Sequence, residues 1–251
     1  MLKLYRYNDT IFIEKANIFM AIIKLFHGSD HVINAPKLSI GKPNNDYGRG
    51  FYCTLDKEMA KEWACKNNNN GYVNEYAFDD NGLKILNLLD GKHTVLNWVA
   101  LLLKYRTFTI NNEIALDAKK YIIDNFLIDI SSYDVIIGYR ADDSYFSYAQ
   151  SFVHNALPLR NLSRALKLGE LGTQIVLISE KAFSNLKFVS ADSTDKNTYF
   201  PRFFARDVHA RESYQKDIKK GPSFKDDIFV MDILRDEIKN NDPRLQQIIL
   251  K

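Results

Sequence analysis

The chain has 251 residues, 46% of them apolar and 26% charged, with a formal net charge of +3. That length suits one large domain or a domain with an appendage, and the charge is too small for non-specific nucleic-acid binding. Its two cysteines, Cys53 and Cys65, form no CxxC pair and read as free thiols of a cytosolic chain; no His/Cys cluster has zinc-ligand spacing, so no metal is expected.

The first twenty residues lack both the long apolar run and the cleavage site of a signal peptide, and they are no membrane span. Residues 1–19 read as an N-terminal extension, with an edge strand from Thr10 to Glu14 as the rival reading. Ala21 to Phe26 is a short apolar run that ends at His27-Gly28-Ser29, a buried strand entering a turn. Residues 34–48 are rich in Pro, Gly and Asn and read as loop. A second strand follows at Gly50 to Thr54, and Asp56 caps a helix over Lys57 to Lys66 with Met59, Ala60, Trp63 and Ala64 on one face.

Further along, Val73–Phe78 and Leu83–Leu88 read as strands split by a turn at Asp79-Asp80-Asn81-Gly82. Helical spacing recurs over Thr94–Arg106, Ile114–Phe126, Ser144–His154 and Leu159–Leu168, with strands at Tyr133–Gly138, Gln174–Ser179 and Leu186–Val189. Residues 191–202 look polar and loop-like, with helices expected over Phe203–Lys220 and Ile228–Lys239. Short apolar strands mixed with helices give an α+β domain over residues 20–190 and a helical tail over 191–251.

Three features carry potential chemistry. At Phe26-His27-Gly28-Ser29 the glycine lets a planar ligand approach the backbone, whose N–H and C=O can pair with a carboxamide, while His27 can donate to a ribose hydroxyl. In Asp46-Tyr47-Gly48-Arg49-Gly50-Phe51-Tyr52, two glycines around Arg49 allow a tight loop before a strand. Trp63 lies on the apolar face of its helix. Taken singly, each reads as a turn, a turn and a core residue.

Taken together, their order and spacing resemble the poly- and mono-ADP-ribosyltransferases of the diphtheria-toxin-like branch. Those carry a strand ending in H-G-[ST], then G-x-G-[IF]-Y opening the next strand, then a helix bearing an aromatic. Leu25-Phe26-His27-Gly28-Ser29, Gly48-Arg49-Gly50-Phe51-Tyr52 and Trp63 match them in turn. The resemblance implies a split, mixed and antiparallel sheet core with flanking helices. It implies that His27 binds the nicotinamide ribose of NAD, that Gly28 holds the carboxamide with Ser29 and Gly50 beside it, and that Tyr52 and Trp63 sandwich the ring. His27, Tyr52 and Gln174 would form the catalytic set.

The chain departs from the family at Gln174, where a late strand usually opens with a glutamate, and at Ala60, where relatives often place a serine. Glutamine can bond a ribose hydroxyl but supplies neither charge nor a base. Mono-ADP-ribosyl transfer to a macromolecule fits better than chain elongation. Glu170, four residues before Gln174, is a candidate to reach the acceptor side, as is Glu180 further along the strand. Arg140, Asp142 and Asp143 read either as phosphate or acceptor contacts or as a helix cap with a local ion pair.

More narrowly, the pattern HGSD…GRGFYCT…GYRADDSYF…QIVLISEKAF resembles an uncharacterised bacterial family of this clan, often encoded beside short partner genes in toxin–antitoxin-like arrangements. That implies a cytoplasmic bacterial transferase with NAD, a macromolecular acceptor and a small neutralising protein as partners, and no membrane. The alternatives are a catalytically silent NAD- or ADP-ribose-binding module and an interaction protein that retains only the fold.

Overall fold

The structure is a computed structural model and describes residues 4–7, 10–13, 22–141, 143–168, 172–220, 227–248 and 250. Its strands are β1 (Leu4–Tyr7), β2 (Thr10–Ile13), β3 (Ile22–Ser29), β4 (Phe51–Cys53), β5 (Gly71–Asp79), β6 (Ile85–Asn87), β7 (Val135–Tyr139), β8 (Thr173–Leu177) and β9 (Leu186–Thr194). The helices are α1 (Lys57–Cys65), α2 (Val95–Tyr105), α3 (Glu113–Phe126), α4 (Asp143–Val153), α5 (Leu159–Leu168), α6 (Glu180–Ser184), α7 (Lys196–Lys220) and α8 (Val230–Arg235).

An α+β architecture results. Strands β3, β5 and β9 form an antiparallel sheet with β5 in the centre. A second sheet, in the order β4-β8-β7-β6, is antiparallel except where β6 runs parallel to β7. The two sheets face each other across a core of Leu25, Phe51, Cys53, Tyr76, Ile175 and Leu177. Period-two alternation explains the division. Leu25 faces this inter-sheet core, whereas Phe26 turns the other way and meets Ala60 of α1. On the four-stranded sheet, Val176 faces a larger helical core that includes Trp98, Leu102, Phe126 and Phe152.

Among the described residues the sheets are joined at one isolated bridge, between Phe26 and Thr54. Each residue donates its N–H to the other's carbonyl, at 2.8 and 2.9 Å. Beyond that point β3 and β4 part company.

Most elements lie close to where the residue pattern puts them; β1 and α6 have no counterpart in that pattern, and three further features differ. The strands on either side of Asp79–Gly82 do not pair with each other: β5 belongs to one sheet and β6 to the other. Both edges of β5 are taken, by β3 and β9, so β6 must find its partner elsewhere. Residues 191–202 are not loop, because β9 runs to Thr194 and α7 begins at Lys196. Finally, the tail is not an appendage. Val230, Ile233, Leu245, Ile248 and Leu250 are buried in the helical core, and the Val95 N–H donates to the Ile248 carbonyl at 3.1 Å.

At the N-terminus, Thr10–Ile13 does form a strand, but it pairs with Leu4–Tyr7 in a separate two-stranded sheet. Cys53 and Cys65 are buried and unbridged. Among the described residues no helix is long and apolar enough to cross a membrane.

Candidate active site

The parting of β3 and β4 leaves a cleft of about 770 Å³, well within the size range of small-molecule sites. His27, Gly28, Gly50, Tyr52, Trp63, Arg140 and Gln174 all line it. Seven of the expected site residues, drawn from five separate stretches of chain, therefore share one cavity. Ser29 does not line it; its hydroxyl bonds the His31 carbonyl and accepts from Asn74 Nδ2 at 2.9 Å. Glu180 is the first residue of α6, which Ser179 caps, and lies outside the cleft. Asp142 and Glu170 fall outside the described residues, and the Asp143 side chain is likewise not described.

His27 is held from two sides. Its ring stacks on Phe51 at 4.4 Å between centroids, and Nδ1 bonds the Tyr52 carbonyl at 2.7 Å. A carbonyl can only accept, so Nδ1 carries the proton and Nε2 is left to accept from a ribose hydroxyl, not to donate to one as the sequence suggests. Burial pushes the imidazole pKa down to about 4, with Lys66 a lesser contributor, so the ring is neutral at neutral pH.

Gly28 is required by packing. A Cβ there would overlap the Ala60 carbonyl oxygen and lie 2.7 Å from the Ala64 nitrogen, so only glycine lets α1 cross β3 this closely. The sequence reading assigned this glycine to ligand approach; the structure assigns its missing Cβ to α1. Its backbone still faces the cleft, by a simple argument. Phe26 spends its N–H and C=O on Thr54, on the edge away from β5. Strand alternation sends the N–H and C=O of Gly28 to that same edge, where β4 has already diverged.

The Asp46–Tyr52 segment is built into the core. Tyr47 is 1% exposed and donates its hydroxyl to the Tyr139 carbonyl at 2.7 Å. Gly48 takes φ +77° against the Tyr105 ring, a backbone conformation that disfavours other residues. The Tyr52 hydroxyl donates to the Gly48 carbonyl at 2.7 Å and accepts from the Tyr47 N–H at 3.1 Å. With its hydroxyl used locally, Tyr52 offers the cleft an aromatic surface.

The same segment sets Asp46, 5% exposed, against the end of β8. Oδ1 accepts from Arg106 Nη1 at 2.7 Å; Oδ2 accepts from the Ala141 N–H at 2.8 Å and from Gln174 Nε2 at 2.9 Å. The Gln174 amide also donates to the Tyr139 carbonyl at 3.2 Å. Sequence reading gave neither Asp46 nor Arg106 a role. Asp46 stood inside a quoted motif, but Arg106 joins it across 60 residues of chain and leaves no local signal.

Trp63 Nε1 is buried with no hydrogen-bond partner among the described residues. The Arg140 guanidinium lies over the Trp63 ring at 4.7 Å and over the Phe203 ring at 6.0 Å. Phe203 comes from α7, which is pinned to α1 by Arg206. Its Nε and Nη2 donate to the two Glu62 oxygens at 2.9 Å each. The supposed tail thus supplies part of the cleft wall.

A family model described as a protein of unknown function (DUF3990) matches residues 23–188. The chain belongs to this family. The DUF3990 span covers every cleft residue discussed above except Phe203 of α7. No curated protein and no solved structure matches the chain.

Proposed function

We propose that the protein is a cytoplasmic mono-ADP-ribosyltransferase that cleaves NAD and transfers ADP-ribose to a macromolecular acceptor. The observation that carries this reading is the convergence in one cleft of His27, the open backbone edge at Gly28, the rings of Tyr52 and Trp63, and Gln174. A carboxamide needs one acceptor and one donor side by side, which the Gly28 C=O and N–H offer. The neutral His27 presents Nε2 to a ribose hydroxyl. Aromatic walls suit a planar pyridinium. Lys37, Lys42, Lys66 and Arg140 line the cleft, and its single described carboxylate, Asp46, is paired with Arg106, which leaves a positive balance that suits a diphosphate.

In the reaction, the bond from ribose C1 to the pyridinium nitrogen breaks and its electron pair leaves with nicotinamide. A nucleophile of the acceptor then supplies the pair that forms the new bond at C1, and its proton passes to solvent. The intervening oxocarbenium-like state needs positioning and nearby electron-rich groups more than covalent help. We further infer a small neutralising protein as a partner, in keeping with the toxin–antitoxin-like resemblance.

The second reading is a silent NAD-binding module, favoured by an amide at position 174 in place of a carboxylate. Labelled NAD incubated with purified protein and a cell lysate, beside His27→Ala, separates the two. Label transfer and nicotinamide release that both depend on His27 support the transferase. Saturable NAD binding with neither supports the silent module, and no binding overturns both.

A further inference from the structure

The pairing of Asp46 with Gln174 carries one step more, and that step rests on the transferase reading above. Gln174 is 3% exposed, and its amide nitrogen faces two groups that can only accept, the Asp46 carboxylate at 2.9 Å and the Tyr139 carbonyl at 3.2 Å. Both N–H bonds of the amide are thereby used. The orientation is fixed by chemistry, because turning the amide over would set its oxygen against two acceptors. Its Oε1 has no hydrogen-bond partner among the described residues, while the residue lines the cleft. Asp46, for its part, is locked by Arg106 and the Ala141 N–H.

We propose that Asp46, in the loop before β4 and with its carboxylate paired with Arg106, acts as a positioning residue that holds Gln174 with Oε1 toward a ribose hydroxyl of NAD. Amide and carboxylate are then a matched pair. A glutamate at 174 would set two carboxylates about one hydrogen bond apart, and such a pair cannot both ionise without a large cost. The chain carries its carboxylate on one side of the contact and an amide on the other.

The test is a set of three variants, Gln174→Glu, Asp46→Asn and the double exchange, read in two ways. Nicotinamide release is followed as kcat and KM near about pH 6 and about pH 8, and the melting temperature is followed over the same interval. For Gln174→Glu we expect release about tenfold below wild type at the higher pH with recovery at the lower, as the shared proton is lost and regained. Its melting temperature should fall with rising pH more steeply than that of wild type, since a carboxyl whose folded pKa is raised loses its stabilisation as pH climbs through it.

Asp46→Asn should lower kcat/KM about tenfold at both pH values, because an amide at 46 can turn Gln174 over. The double exchange restores one carboxylate facing one amide, and it should recover most of that loss. Two results overturn the proposal. One is Gln174→Glu that is more active than wild type with an unchanged melting profile; the other is Asp46→Asn with wild-type kcat/KM and no rescue by the double exchange. A wild-type protein that neither binds NAD nor releases nicotinamide overturns the transferase reading instead, and the ribose role of Gln174 with it. The melting profile of Gln174→Glu would still report on the pairing in that case.

Discussion

At the scale of single residues, the site is made of groups whose chemistry is fixed by what they touch. His27→Ala removes a stacked ring and one hydrogen bond, a loss of about 1–2 kcal/mol, so the variant should fold yet neither bind NAD nor release nicotinamide. Its stability should also respond differently to acid. The folded pKa of His27, about 4, lies below its ordinary value of 6.5, so between the two the unfolded chain binds the extra proton. Stability from neutral His27 is present above the ordinary value and is lost as pH falls toward the folded one. His93 is shifted in the same direction by burial, so the difference between wild type and His27→Ala isolates the His27 share. Urea unfolding at stepped pH measures it; equal slopes for the two proteins would contradict the assignment.

Gly28→Ala is the opposite case, a small change with a backbone penalty. The new methyl meets the Ala60 carbonyl, and overpacking against backbone should cost about 3 kcal/mol or more. In a chain of this size that lowers the melting temperature by about 6–12 °C, checked by circular dichroism. Residues of this kind were the legible part of the site. The strand-then-glycine pattern and the G-x-G-F-Y loop are local, so His27, Gly28, Gly50 and Tyr52 could be read from neighbours in sequence. Asp46, Arg106 and Gln174 meet only after β8 lies beside β7, and no spacing rule encodes that meeting.

At the scale of elements, periodicity located the helices because each buries one stripe, and Asp56 capped α1 as read: its carboxylate accepts from the N–H groups of Glu58 and Met59. Partner choice among strands was not legible. Alternation says that β5 and β6 are strands, and only the occupied edges of β5 say that they do not pair. The length of α7 was also under-read, since polar residues from Lys196 carry little periodic signal. Its attachment gives a prediction. The Glu62 side chain is 7% exposed and Arg206 29%, so Glu62→Ala should cost about 2–3 kcal/mol, less than a fully buried pair because Arg206 regains water. Limited proteolysis should then cut within α7 before the rest of the chain; unchanged cleavage would show that apolar contacts alone hold the helix.

At the scale of the whole molecule, the domain boundary drawn near residue 190 is not a cut that the fold tolerates. A protein ending there would lose the end of β9, all of α7, and the buried side chains of Val230, Ile233, Leu245 and Ile248. Four aliphatic residues at about 1.5–3 kcal/mol each amount to about 6–12 kcal/mol, which is of the order of a domain's whole net stability. Such a truncation should be insoluble or lack near-ultraviolet dichroism, and a well-dispersed amide spectrum from it would refute the shared core. Composition could not reveal this, because a tail that docks and a tail that dangles have similar sequences until the core they complete is known.

The Phe26–Thr54 bridge gives the molecule a seam. The two sheets share one backbone bridge, followed by the His27 Nδ1 tie to the Tyr52 carbonyl, and then splay, so the aperture beside Gly28 is set largely by the backbone. Substitutions along the walls can alter what the slot attracts without altering how wide it gapes. Loosening that one stitch would alter the width and leave the lining untouched. Selectivity by chemistry and selectivity by girth are, in this fold, separately adjustable.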